Sequence, residues 1–204
     1  MPVRDFQSAK SRLGGARVAT DRLARAFLED VLAALSRAQG ITDILVATHD
    51  PSVAAVVTES GARTIDDHGH PGINAAAAHA ATFRAPGTGI AVLVSDLPCL
   101  TDEAVDLALR LAEPHPTSFV PDLEGSGTSM WLSPHGAGLP SHFGVQSRRA
   151  HGAAGAVDLV ISHPDAADSL LPARLDVDTE SALDRAVAHG VGPRTAAALA
   201  PPRS

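Results

Sequence analysis

The hydrophobic and polar positions of the chain alternate between the periods of strands and helices. The most apolar short run is Ile90-Ala91-Val92-Leu93-Val94, preceded by Gly89 and closed by Ser95-Asp96-Leu97-Pro98. This pattern predicts a strand buried on both faces, of the kind found in the middle of a parallel sheet. Upstream, Leu23, Phe27, Val31 and Leu35 recur at helical spacing after Thr20 and predict an amphipathic helix ending near Gly40. Met1-Pro2-Val3 reads as the tail of a first strand, Ile41 to Thr48 as a strand and Ala62 to Ile65 as a short one. Asp50-Pro51 reads as the cap and first residue of a helix running towards Gly61. After the polar turn at 66–72, Ile73 opens an alanine-rich helix that ends before Pro86. Thr101 caps a helix with Asp102 and Glu103 in its first turn and Val105, Ala108, Leu109 and Ala112 on its buried stripe.

Beyond Glu113 the rhythm changes. Ser118–Asp122 and Ser129–Leu132 predict two short strands around a glycine-rich bend, a small β excursion. Ser147 to Ala154 reads as a short helix, Leu159-Val160-Ile161 as a short strand and Leu175-Asp176-Val177-Asp178 as an extended segment. Thr179 then caps a helix to His189, with Gly190 as the residue that ends it. Strands alternating with helices predict an α/β fold of right-handed βαβ units, with a mostly parallel central sheet and helices on both faces. Nothing in the 204 residues marks a linker, so one domain spanning 1–204 is expected.

Composition narrows the function. At 45% hydrophobic the chain can bury a sizeable core, yet no run approaches a membrane span and the first residues lack the apolar segment of a signal peptide. No membrane partner and a cytoplasmic location are expected. A net charge of −7, no basic run and 3% aromatics argue against a nucleic-acid partner, which needs clustered cations and stacking rings. The single cysteine, Cys99, excludes an internal disulfide and reads as a small core residue. The histidines, including His68 and His70, are too scattered for a zinc site. Lys10 is the only lysine, so its place in the polar loop with Arg12 is notable; such a loop after a first strand either wraps a triphosphate or is ordinary surface.

Four stretches could carry chemistry. Asp176 and Asp178, two apart on an extended segment, share one face. With Asp96 at another strand end they could hold Mg²⁺ through hard oxygens. Alternatively Asp178 helps Thr179 cap a helix, Asp176 is solvated and Asp96 caps a turn. Gly125-Ser126-Gly127-Thr128-Ser129 offers unobstructed N–H groups and two hydroxyls, as an anion cradle or as a plain hairpin turn. Phe143-Gly144-Val145-Gln146-Ser147-Arg148-Arg149 leads into a helix whose start could bind phosphate, or which is only Ser-capped with solvated arginines.

Six motifs in order, Lys10-Ser11-Arg12-Leu13, Gly72-Ile73-Asn74, Ser95-Asp96-Leu97-Pro98, Gly125-Ser126-Gly127-Thr128, Phe143-Gly144-Val145-Gln146-Ser147 and Leu175-Asp176-Val177-Asp178-Thr179, span nearly the whole chain. Together they resemble the phosphoenolpyruvate / 2-phospho-L-lactate guanylyltransferases, which serve biosynthesis of the deazaflavin coenzyme F-420. The tail Gly190-Val191-Gly192-Pro193-Arg194-Thr195 is similar to that of actinobacterial members and favours phosphoenolpyruvate as acceptor. The resemblance implies a Rossmann-like nucleotidyltransferase fold, GT-A-like, in a three-layer sandwich. It also implies two Mg²⁺ ions held by Asp96, Asp176 and Asp178, and the phosphorylated acid near Thr128, Gly144 and Ser147. Lys10, Arg12, Asn74 and Ser95 would face the nucleotide, GTP. Alternatives are 2-phospho-L-lactate or 3-phosphoglycerate as acceptor, or a non-catalytic nucleotide-binding scaffold. A further partner would be the downstream transferase that takes up a labile product.

Overall fold

The structure, a computed structural model, describes residues 1, 3, 20–66, 72–136 and 140–201. The expectations placed on Lys10, Arg12, His68 and His70 lie outside the described residues. The chain runs through α1 (Thr20–Arg37), β1 (Leu45–Ala47), α2 (Pro51–Glu59), β2 (Arg63–Ile65), α3 (Ile73–Ala81), β3 (Ile90–Leu93) and α4 (Asp102–Ala112). It continues with β4 (Ser118–Pro121), β5 (Thr128–Ser133), α5 (Ser147–Ala153), β6 (Val157–Asp158), α6 (Leu159–Ser162), α7 (Glu180–His189) and α8 (Pro193–Leu199).

Local chemistry explains most helix ends. The Asp50 carboxylate accepts from the N–H groups of Ser52 and Val53 at the start of α2, with Pro51 supplying a fixed φ and no orphan donor. Thr101 accepts from Ala104 N–H and Thr179 from Ala182 N–H, so both predicted caps form. Gly190 ends α7 at a φ of 118°, a conformation that would strain a side chain. The N-terminus of α8 is capped from outside: the buried Asp30 carboxylate of α1 accepts from Arg194 and Thr195 N–H at 3.0 and 2.8 Å.

β1 and β2 pair in parallel. Met1 and Val3 add to the edge of β1: the amine of Met1 donates to Leu45 carbonyl, Ala47 N–H to Met1 carbonyl, and Val3 N–H to Ala47 carbonyl. The other strands form one sheet in the order β3-β5-β4-β6. β5 runs antiparallel to both β3 and β4, while β4 and β6 are parallel.

The sequence therefore misplaces β4 and β5. They are not a side excursion: β5 lies between β3 and β4, and all six of its residues are buried. β3 accordingly has an antiparallel neighbour. The physical reason is that a fully buried strand reads as an apolar run in either direction, and strand order is set by long-range pairing. Leu159-Val160-Ile161 is also not a strand. Asp158 caps it, accepting from Val160 and Ile161 N–H, and turns it into α6. The main core packs Leu28, Val31, Leu32 and Leu35 of α1 against Leu93, Val120, Met130 and Leu132 of the sheet and Val105 and Ala108 of α4. Cys99 sits in a second cluster with Leu175 and Val177, and burial pushes its thiol up to about 12, so it is a core residue and not a nucleophile.

Candidate active site at one rim of the sheet

The direction of β5 builds the site. Because it is antiparallel, its first residue, Thr128, lies at the same rim as the carboxyl ends of β3 and β4. Pairing of β3 with β5 continues through Val94 N–H to Ser129 carbonyl at 3.1 Å. Two residues further, Asp96 carbonyl accepts from Val177 N–H at 3.0 Å. That single bond brings the segment 175–178 to the end of β3. Leu175 and Val177 are buried in the second apolar cluster, whereas Asp176 is half-buried and Asp178 exposed. The expected alternation thus holds without a regular strand, and it turns the two carboxylates to one side.

The charges at this rim are felt. Burial, followed by the charges of Asp96, Asp122 and Asp178, pushes the Asp176 carboxyl up to about 7. Sequence reasoning missed Asp122. It follows β4, and its carboxylate accepts from Ser126 and Gly127 N–H at 3.0 and 2.7 Å, while its own carbonyl accepts from Gly125 N–H at 3.3 Å. The N–H groups of the glycine-rich bend therefore already hold an anion, the protein's own. A Cβ at Gly127 would collide with the Asp122 carboxylate, which explains the glycine. The available signal was an Asp four and five residues ahead of those donors, a local side-chain-to-backbone pattern.

Arg174 and Arg148 brace this bend. Arg174 donates to the carbonyls of Pro121 and Asp122, and Leu123 N–H donates to Arg174 carbonyl at 2.8 Å. Arg148 forms a part-buried ion pair with Asp158 at 2.8 Å and donates to Gly125 carbonyl. At the start of α5, Ser147 N–H donates to Gly144 carbonyl and Arg148 N–H to Ser126 carbonyl. Those two donors and Arg148 are thus engaged within the protein, while Arg149 is exposed. The turn into α5 holds Gly144 at a φ of 132° and Gln146 at 58°, and Gln146 is the one non-glycine residue with a positive φ among the described residues. A non-glycine residue held at such a φ is strained, which makes this turn a candidate functional element.

The chain matches known proteins over nearly its whole length. Residues 9–164 match the MobA-like NTP transferase domain. The chain is 41% identical over 206 residues to the phosphoenolpyruvate guanylyltransferase of Geodermatophilus obscurus, covering 98% of this chain and 92% of that one. It is 40% identical over 207 residues to the protein of the same name from Streptomyces coelicolor, covering 98% and 94%. The chain belongs to the phosphoenolpyruvate guanylyltransferase family.

In fold, this family member is similar to a crystal structure assigned as a nucleotide-diphospho-sugar transferase from Desulfovibrio desulfuricans G20. The TM-score is 0.60 at 16% identity, over 92% of this chain and 94% of that one. The nucleotidyltransferase α/β fold expected from the sequence is thus the fold observed. Among the described residues no helix is long and apolar enough to cross a membrane. A cleft of about 410 Å³ opens at the other end of β3, lined by Met1, Gly89, Ile90 and Pro134, and is remote from the carboxylate rim.

The remaining expected site residues fall on the same side as the turn into α5. Asn74, in the first turn of α3, holds the segment 141–143: its Oδ1 accepts from Ser141 Oγ at 3.0 Å and Phe143 N–H at 2.8 Å, and its Nδ2 donates to Phe143 carbonyl at 2.8 Å. Ser95 is half-buried beside Asp96, and Ser147 and Thr128 are buried. Thr128 Oγ1 lies 3.0 Å from Nδ1 of His151, a fully buried residue of α5 that sequence reasoning passed over. Its only signal was a position one helical turn beyond Ser147.

As a divalent-cation site, the rim has the right donors and the right charge. Three carboxylates supply hard oxygens, and the Asp176 carboxyl, raised first by burial and then by the charges of Asp96, Asp122 and Asp178, is one whose ionised form a cation would favour. As they stand, no three such side chains among the described residues are arranged to hold a metal ion, so the fit rests on donor chemistry and charge and not on geometry.

Proposed function

We propose that the chain transfers GMP from GTP to phosphoenolpyruvate, giving enolpyruvyl-diphospho-5'-guanosine and pyrophosphate in deazaflavin coenzyme biosynthesis. The observation that carries this reading is the near full-length likeness to proteins named phosphoenolpyruvate guanylyltransferase. A phosphate oxygen of phosphoenolpyruvate attacks the α-phosphorus in line. The new P–O bond forms as the bond from the α-phosphorus to the bridging oxygen breaks, and pyrophosphate leaves with that electron pair. The attacking oxygen is already ionised, so no protein base is needed.

The protein's task is to bring two polyanions together and to orient them. Asp96, Asp176 and Asp178 are the residues to hold Mg²⁺, two ions by the family resemblance. Bound there, the cations would screen the triphosphate and stabilise charge on the departing pyrophosphate. Thr128, Gly144 and Ser147 take the acceptor, with Thr128 on β5 and the other two on the turn into α5. Lys10, Arg12 and Ser95 take the nucleotide; Asn74, which the resemblance also assigns to the nucleotide, holds segment 141–143 beside the acceptor residues. The product is a diphosphate with an activated phosphoanhydride bond, so a transferase that accepts it is the partner this reaction requires.

The test is mass spectrometry of the products from GTP, Mg²⁺ and an equimolar mixture of phosphoenolpyruvate, 2-phospho-L-lactate and 3-phosphoglycerate. Enolpyruvyl-diphospho-guanosine as the main product is expected. A phospholactate or phosphoglycerate adduct overturns the acceptor assignment, and GTP binding without pyrophosphate release from any of the three overturns catalysis.

A further inference from the structure

His151 has no part in the chemistry described so far, yet it is a fully buried polar side chain directly beside Thr128. It is 0% exposed and enclosed by Phe119 and Phe143, with ring centroids at 5.6 and 5.3 Å. Two polar contacts fix it: His142 N–H donates to its Nε2 at 2.8 Å, and Thr128 Oγ1 lies 3.0 Å from its Nδ1.

These contacts determine where the protons are. A backbone N–H can only donate, so Nε2 must be the bare, accepting nitrogen. Burial first, and then the charge of His142, push the imidazole down to about 4, so the ring is neutral at ordinary pH and carries its one proton on Nδ1. Nδ1–H is therefore the donor and Thr128 Oγ1 the acceptor. A hydroxyl that accepts from a fixed donor keeps its own proton for another acceptor. An anionic substrate is such an acceptor; a hydroxyl held the other way would present lone pairs to it and repel it.

We propose that His151 is a positioning residue for the acceptor, fixing the Thr128 hydroxyl as a donor to the substrate's anionic oxygens and tying that hydroxyl to the pocket segment at His142. The proposal rests on the reading that Thr128 contacts the phosphorylated acid. It explains why a buried imidazole occupies a place where an apolar side chain would pack equally well between Phe119 and Phe143. It also gives the pocket two anchors for segment 141–143, His151 from α5 and Asn74 from α3.

The experiment is a double-mutant cycle on the full chain with steady-state kinetics for both substrates. Thr128→Val is expected to raise the acceptor KM about 10-fold or more, the scale of a hydrogen bond to a charged group, with the GTP KM unchanged. His151→Phe, which keeps the packing, is expected to raise the acceptor KM by a similar factor, and the pair Thr128→Val with His151→Phe no further than either alone. His151→Gln, whose carboxamide can accept from His142 N–H and donate to Thr128, is expected to return the KM to within about 3-fold of the parent. If Thr128→Val behaves as the parent, the acceptor reading itself falls. If Thr128→Val raises the KM but His151→Phe does not, or if the two effects multiply, that reading stands and the role of His151 is overturned. An independent readout is the ¹⁵N spectrum of the labelled imidazole: a neutral ring protonated at Nδ1 is expected, and protonation at Nε2 overturns the proposal whatever the kinetics.

Discussion

The carbonyl of Asp96 accepts a hydrogen bond from Val177 N–H, and this backbone contact joins two stretches some eighty residues apart into one acidic rim. The side chains on either side of Val177 belong to Asp176 and Asp178, so the pairing register decides which carboxylates face Asp96. A shift by one residue would turn Val177 to the site and the two aspartates into the core.

Replacing these carboxylates separates chemistry from folding. Asp96→Asn and Asp178→Asn are expected to cut GTP-dependent pyrophosphate release by about 100-fold or more, the scale of several kcal/mol of lost charge stabilisation. Circular dichroism and thermal melting should show the fold intact. Near-normal turnover in both variants would remove the metal assignment.

The rim also predicts a pH dependence of stability. The Asp176 carboxyl is pushed from an ordinary 3.8 to about 7 in the folded chain, so between those values the folded state binds more protons than the unfolded one. Stability from this group is therefore greatest at acid pH and is lost as pH rises through that window. Without divalent cation, Asp176→Asn is expected to stabilise the protein at pH 8 by about 1–2 kcal/mol, discounted for partial solvent screening, and by almost nothing near pH 4. For the parent, Mg²⁺ should raise the melting temperature more at pH 8 than at pH 5. An equal or reversed shift would show that the cation does not favour the ionised Asp176 carboxyl.

Asn74 is expected to act on the acceptor through the segment it holds. Asn74→Ala removes three hydrogen bonds to Ser141 and Phe143 and should raise the acceptor KM by about 5- to 50-fold with little change in the GTP KM. A rise in the GTP KM alone would place the side chain on the nucleotide, the role that the family resemblance implies.

Asp30 is structural, and its loss should show in stability and not in turnover. Asp30→Ala leaves the N–H groups of Arg194 and Thr195 without their carboxylate at a buried helix start, and should cost about 2–3 kcal/mol in urea unfolding. A change below about 0.5 kcal/mol would mean that α8 docks without this cap.

The local elements and the identity of the chemical groups were legible along the chain. Caps at Asp50, Thr101 and Thr179 and the stop at Gly190 were legible because each depends on contacts within a few residues. The alternation that buries Leu175 and Val177 was legible too, because side-chain period follows from backbone geometry alone. Asp96, Asp176 and Asp178 could be named as a group only through the order of motifs, since nothing local says that two distant strand ends meet. The placement of β5 between β3 and β4 follows from long-range packing alone, because an apolar strand carries no mark of its direction or its neighbours. That one antiparallel insertion sets Thr128 beside Asp122 and opposite Asp96, and it puts His151 behind Thr128. Hydrogen bonds between residues 128, 142 and 151 need partners from a strand, a loop and a helix, so their meaning exists only once the long-range packing has brought those elements together.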